Sequence, residues 1–284
     1  MTRFLEVDEP PPFQTIFHPT DCSAESRGAF AHALRLAVAA KGELVVMHVD
    51  ASDTSGRVQE FPRVRPTLEQ WGLLPPGSTK EDVGRLGLLV KKVRSAGEPA
   101  AVLAQYVARH ATDVIVLGTS QHEGLDRWRH TSVSEPIARR SRIPTLFVPA
   151  HCAGFVDAET GRVRLRRVVV PVGDSASGER AGDLVVQVGR SLEVGTLEVI
   201  MVHCGHDEFP PVRQRAVGGW TWRRLTRDGA LVSTILDVRG ESEGELIVMA
   251  TQGHDSFGDT LWGSTAEQVV RGARCPVLVA PILD

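Results

Sequence analysis

Residues able to do chemistry gather in two short stretches of this 284-residue chain. The first, MATQGHDSFGDTLWGSTAE, runs from Met249 to Glu267 and sets Gly253, Gly258 and Gly263 ahead of Ser264, Thr265 and Glu267. Glycines let main-chain amides converge on an anion with no Cβ in the way, and a helix opening at Ser264 adds free N–H groups and a partial positive charge. Phosphate is the natural occupant of such a cradle. Ser264 with Glu267 also has capping-box spacing, as does Ser132 with Glu135, and a capping box needs no ligand. The second stretch, His203-Cys204-Gly205-His206-Asp207, puts two imidazoles, a thiol and a carboxylate in one short loop. That donor set suits a metal such as zinc, but the spacing arises by chance in short loops, so metal binding there is the minor alternative. His122, His130 and His254 fall in or beside the glycine-type loops and pair with an anion only when protonated. Nothing points to turnover: the chain has no nucleophile elbow, no Walker lysine and no base named for Ser264 as a nucleophile. The expected activity is binding, and the protein is not expected to be an enzyme.

The elements that must position these residues repeat once along the chain. Pro19 matches Pro171 and Ser23 matches Ser175 at an offset of 152, and His48 matches His203 at 155. Further on, Gly97 matches Gly229, Gly118 matches Ala250, Ser132 matches Ser264 and Pro144 matches Pro276, all at 132. The second copy has therefore lost about 23 residues after its second strand. The apolar runs TIFHP, ELVVMHV, LLVKKV, DVIVLG and IPTLFVP, and their counterparts RRVVVP, LEVIMVH, WTWRRL, ELIVMA and CPVLVAP, have the Val/Ile-rich pattern of strands buried on both faces. Amphipathic segments such as 24–40, 99–110 and 132–140 separate them. Strand–helix alternation implies an α/β fold, with two tandem five-stranded parallel sheets covered by helices on both faces. The expected division is an N-terminal extension over 1–12, a first domain over 13–150, a linker over 151–164 and a second domain over 165–284. Residues 51–87, with prolines at 62, 66, 75 and 76, read as a long irregular connection holding one short helix. Trp220 and Trp222 share one strand face and read as packing residues.

Composition narrows the partners. The formal charge is −3, with 32 basic and 35 acidic residues interspersed, which disfavours nucleic acid and anionic membrane surfaces. No apolar run approaches the ~20 residues of a bilayer span. The start, MTRFLEVDEPPPF, lacks the apolar segment of a signal peptide, and the four scattered cysteines read as reduced thiols, so a cytoplasmic location is expected.

The segments FHPTDCS, GTSQHEGLDRWRHTSVSE, MATQGHDSFGDTLWGSTAE and CPVLVAP resemble the universal stress protein family, as two tandem copies over almost the whole chain. The resemblance implies a Rossmann-like, adenine nucleotide alpha hydrolase-like fold and a stress-response role. ATP-binding members carry a glycine, two residues, a glycine, nine residues, then glycine and Ser or Thr. The second copy fits this as Ala250, Gly253, Gly263 and Ser264, with Thr251, His254 and Thr265 alongside, and the first as Gly118, Gln121, Thr131 and Ser132. If the loop needs φ > 0 at 121, a non-glycine residue costs about 1–2 kcal/mol there. Each charge-assisted hydrogen bond lost removes about 1.5–3 kcal/mol, so two losses weaken binding a hundredfold or more.

The family's first-strand end supplies Pro19, Thr20 and Asp21 in the first copy and Pro171, Val172 and, one place late, Asp174 in the second. The end of the second strand, which touches the base in binders, falls at Val49 and Cys204. The implied ligand is ATP, with the site in the second copy and the first copy degenerate. The alternative is a nucleotide-free interaction protein whose clefts have decayed. The family also pairs subunits through the last strand of the domain, here PTLFVPA and CPVLVAP. The two copies are therefore expected to dock within the chain as a pseudo-dimer, and the same edges allow a homodimer of the whole chain.

Overall fold

The computed structural model describes residues 11–50, 60–119, 142–150, 152–251 and 264–282. Ten strands form one sheet: β1 (Thr15–Pro19), β2 (Glu43–Asp50), β3 (Leu89–Ala96), β4 (Val114–Thr119), β5 (Thr145–Pro149), β6 (Arg167–Pro171), β7 (Leu197–Cys204), β8 (Trp220–Arg227), β9 (Leu246–Thr251) and β10 (Val277–Pro281). Their order is β3-β2-β1-β4-β5-β10-β9-β6-β7-β8. Each half is parallel throughout. The halves join where β10 runs antiparallel to β5, with Val277 opposite Phe147, Leu278 opposite Leu146 and Val279 opposite Thr145. The two apolar terminal strands thus cover each other, as an unpaired edge of that composition demands.

The period-2 alternation of side chains sends one set of residues to each face. Ile16, Val46, Val116 and Leu146 share one core with Leu278, Val248, Val170 and Met201. Phe17, Val45, Ile115 and Phe147 share the other with Val277, Ile247, Val169 and Ile200. Both cores run continuously across the junction. The first face is covered by α1 (Arg27–Ala40) and α5 (Ser175–Ser191), which contribute Leu34 and Leu184. The second is covered by α4 (Pro99–Arg109), α6 (Leu231–Ser242) and α7 (Ser264–Gly272), through Leu103, Ile235 and Val269.

Two sequence expectations are corrected. The outer strands β3 and β8 are not buried on both faces; most of their residues are exposed or half-buried. They are the sheet edges, and Lys91, Lys92 and Arg94 on one side and Arg223, Arg224 and Arg227 on the other put charge where a further strand would add. The 51–87 connection contains two helices, α2 (Val64–Gln70) and α3 (Lys80–Arg85). Pro66 falls in the first turn of α2, where its missing N–H has no intrahelical role, and a Thr79–Asp82 capping box starts α3.

The stretch after β5 is held down by side chains of the first half. His32 Nε2 accepts from Phe155 N and Val156 N, both at 3.2 Å, while its Nδ1–H donates to Gly28 O at 2.7 Å. Trp71 Nε1 donates to Ala158 O at 3.1 Å. Trp220 and Trp222 do pack inward on α5, and Trp220 Nε1 donates to Val194 O at 2.9 Å.

A pair of matching carboxylates fixes the strand starts. Asp113 accepts from Gln14 N at 2.7 Å and Thr15 N at 2.8 Å; Glu245 accepts from Arg166 N at 3.2 Å and Arg167 N at 2.7 Å. Asp113→Ala is expected to lower stability by about 1–2 kcal/mol, discounted for exposure, read as a lower urea midpoint at unchanged slope. Asp113→Asn, which keeps one acceptor, should fall between.

Candidate functional site

Ligands of open parallel sheets bind beyond the strand carboxyl ends, where strand order reverses. Each half has one such point, between β1 and β4 and between β6 and β9.

At the first, Pro19 ends β1, and Thr20 N–H donates to Met47 O at 2.8 Å. Thr20 Oγ1 shares a hydrogen bond with Ser26 Oγ at 3.1 Å and accepts from Cys22 N at 3.0 Å. Asp21 is exposed, and its Oδ1 accepts from Ser23 N at 2.9 Å, a local turn in which Cys22 takes φ 58°. His48 Nδ1 bonds Thr20 O at 2.8 Å, and its Nε2 lies 3.1 Å from Asp50 Oδ1. Asp50 also receives Arg94 Nη1 at 3.3 Å. His18, fully buried in β1, donates Nδ1–H to Val116 O at 2.9 Å, and burial pushes its pKa down to about 4.

At the second, Pro171 ends β6, and Val172, itself buried, donates its N–H to Val202 O at 2.8 Å. His203 Nδ1 bonds Val172 O at 2.8 Å. Asp174, the displaced acid, is the N-cap of α5: its Oδ1 accepts from Ser177 N at 2.7 Å and its own N–H donates to Ser177 Oγ at 3.1 Å. The helix start, with its unsatisfied amides, engages this carboxylate. Ala250 packs against the core on the α5 side, so its methyl is accommodated in place of a glycine hydrogen. In the first half the same direction from Gly118 meets Ala29 Cβ and Ser26 Cα at 3.6 Å, an ordinary contact. Val49 and Cys204 both pack partly into the second core. The Cys204 thiol bonds Thr234, and burial pushes it up. Ser264 is the exposed first residue of α7, with Thr265 half-buried after it. Gly253, His254 and Gly263, and in the first half Gln121, Thr131 and Ser132, lie outside the described residues.

Sequence reasoning missed a matched pair. Thr119 ends β4 and Thr251 ends β9, 132 apart, and each Oγ1 is buried with no hydrogen-bond partner among the described residues. The sequence analysis places Thr251 beside the candidate loop and leaves Thr119 out, although the offset that aligns Gly118 with Ala250 aligns them too. The side chains of the His203–Asp207 stretch turn to separate partners. His206 is exposed and pairs with Asp228 at 3.1 Å, Cys204 turns to Thr234, and among the described residues no group of three or more His, Cys, Asp or Glu is placed to hold one.

The pattern of a known family covers this arrangement: residues 12–149 and 212–281 match that of the universal stress proteins. The chain belongs to the universal stress protein family. The second match begins after β7, yet β6 and β7 repeat β1 and β2 in pairing and in the histidine bond, so in this universal stress protein the repeat extends to those two strands as well. A Mycobacterium tuberculosis universal stress protein is 25% identical over 269 residues, 84% of this chain and 86% of its own length. One from Methanocaldococcus jannaschii is 27% identical over 139 residues, 48% of this chain and 82% of its own. The crystal structure of an Archaeoglobus fulgidus universal stress protein superposes with a TM-score of 0.58 at 18% identity, covering 95% of this chain and 97% of that one, which speaks to fold alone. Among the described residues, no helix of this universal stress protein is long and apolar enough to cross a membrane.

Proposed function

We propose that this universal stress protein binds an adenine nucleotide, ATP, in the crevice of its second half, and holds it as a cytoplasmic signal without turning it over. The reading rests on Thr251: its buried hydroxyl, without a partner among the described residues, stands where β9 enters the glycine-rich segment, and Ser264 opens α7 at the far end of that segment. A buried hydroxyl without a partner costs about 1–3 kcal/mol, and a ligand oxygen or sugar hydroxyl at that point removes the cost. The first turn of α7 opens at that far end, where N–H groups have no partner within the helix itself.

Because the two halves share both cores, the test uses the full chain. Calorimetric titration with ATP is expected to give one site. Thr251→Val and Ser264→Ala are each expected to weaken it about tenfold. No heat at millimolar ATP overturns the proposal.

One observation favours the nucleotide-free reading. Both first-strand acids make local bonds, Asp21 in a turn and Asp174 at a cap, so neither reaches out for a sugar as placed. Absorbance of the supernatant after denaturing the purified protein separates the readings: adenine absorbance supports the first, its absence together with a null titration the second.

A further inference from the structure

The two halves treat one equivalent histidine differently. His48 and His203 each bond, through Nδ1, the carbonyl just beyond the first strand of their half, at 2.8 Å in both cases. A carbonyl only accepts, so Nδ1 carries the proton and Nε2 of the neutral ring offers a lone pair. In the first half, Asp50 fills the space at Nε2 from 3.1 Å, backed by Arg94. The residue that corresponds to Asp50 in the second half, at the same offset of 155, is Gly205. A Cβ built on Gly205 would stand 3.6 Å from His203 Nε2 and 3.9 Å from Asp207 N, so the second half has no side chain in the place that Asp50 takes in the first. His203 is 7% exposed and its Nε2 has no partner among the described residues. The Phe209 ring stands against His203, at 5.9 Å between centroids, and offers no conventional hydrogen-bond donor. A buried ring nitrogen without a partner is a cost that a bound group can remove.

We propose that His203 Nε2 is a specificity-determining acceptor in the second crevice, receiving a neutral N–H or O–H donor from the bound ligand, while Asp50 keeps the equivalent position in the first half closed. The inference rests on the nucleotide reading above. ATP has two sources of such a donor, the exocyclic amine of the base and the ribose hydroxyls. An anionic oxygen is disfavoured because it would need a charged imidazole, and among the described residues no carboxylate pairs with His203 as Asp50 does with His48 at 3.1 Å.

The test is carried out on the full chain at pH 7.5 with histidine labelled by nitrogen-15. Addition of ATP is expected to shift the Nε2 resonance of His203 and leave that of His48 in place. In parallel titrations, purine ribonucleoside triphosphate, which lacks the amine, or 2′-deoxy- or 3′-deoxy-ATP is expected to bind about tenfold more weakly than ATP; the analogue that does so identifies the donor. His203→Asn keeps a donor for Val172 O, since its amide nitrogen takes the place of Nδ1, and deletes the acceptor; ATP and the weak analogue should then bind alike. His48→Asn should leave the discrimination intact. If ATP binds while the His203 resonance stays fixed and the Asn variant still discriminates, the proposal is overturned and the nucleotide reading stands. If ATP does not bind at all, both fall.

Discussion

Lowering the pH from 7 to 5 is expected to cost this protein about 4 kcal/mol of unfolding free energy, through two histidines. His18 and His32 are buried, and burial pushes each pKa down to about 4. In the unfolded chain both titrate near about 6.5. The sign follows from proton binding: the folded state must keep both rings neutral, and the unfolded state takes up a proton on each once the pH drops below its own pKa. The stability these rings hold is complete above about pH 6.5 and is lost as the pH falls, until the folded rings also protonate near pH 4. The full loss is on the order of 3 kcal/mol per ring, roughly two-thirds of it by pH 5. His32 carries a structural consequence as well. Its Nε2 accepts two backbone N–H groups from the stretch after β5, and a proton on that nitrogen would face both donors. Urea unfolding at pH 7, 6 and 5 is the measurement. His32→Asn, which retains a donor for Gly28 O, should be less stable at pH 7 and show about half the pH dependence. A stability that stays flat between pH 7 and 5 would refute the account.

The second large effect is a reversal of sign at Gly189. This residue lies inside α5, where alanine is ordinarily preferred over glycine by about 1 kcal/mol. Here a Cβ would stand 2.2 Å from Trp220 Cη2 and 2.4 Å from Cζ2. The indole cannot retreat freely, because its Nε1–H is bonded to Val194 O. Gly189→Ala is expected to destabilise by about 1–3 kcal/mol despite its better helix propensity. Trp220→Ala should cost about 3–5 kcal/mol, the transfer and cavity contributions of a buried aromatic. In the Trp220→Ala background, Gly189→Ala should become neutral or stabilising, since the methyl enters vacated space. A double-mutant cycle from urea midpoints measures the coupling, and additivity within about 0.5 kcal/mol would show that the helix and the indole do not meet in this way.

All ten strands were legible as apolar runs, because β-branched residues between turn signals leave few alternatives. The burial of β3 and β8 was not, since LLVKKV and WTWRRL differ from the central strands only in having basic residues, and a run says nothing of its place in the order. Prolines concealed α2: Pro66 reads as a breaker unless it is known to lie in a first turn. At the site, the crevice residues followed from the repeat and the resemblance, but their hydrogen bonds did not. Asp174 is followed three residues later by Ser177, a cap pattern plain in the sequence, which a search for a ribose-binding acid passes over. The hydroxyls of Thr119 and Thr251 gave no signal, because threonine is common in strands and only the surrounding packing shows whether its oxygen has a partner.

The antiparallel seam of β5 and β10 has a bearing on how the two crevices can differ. A dimer of identical subunits carries every substitution twice, so a change that closes one cleft closes both. Here the two partners are successive stretches of a single polypeptide, and their meeting neither depends on concentration nor requires them to match. One copy can hold Asp50 against its histidine while the other leaves Gly205 in that place, an inequality that two interchangeable chains could not maintain.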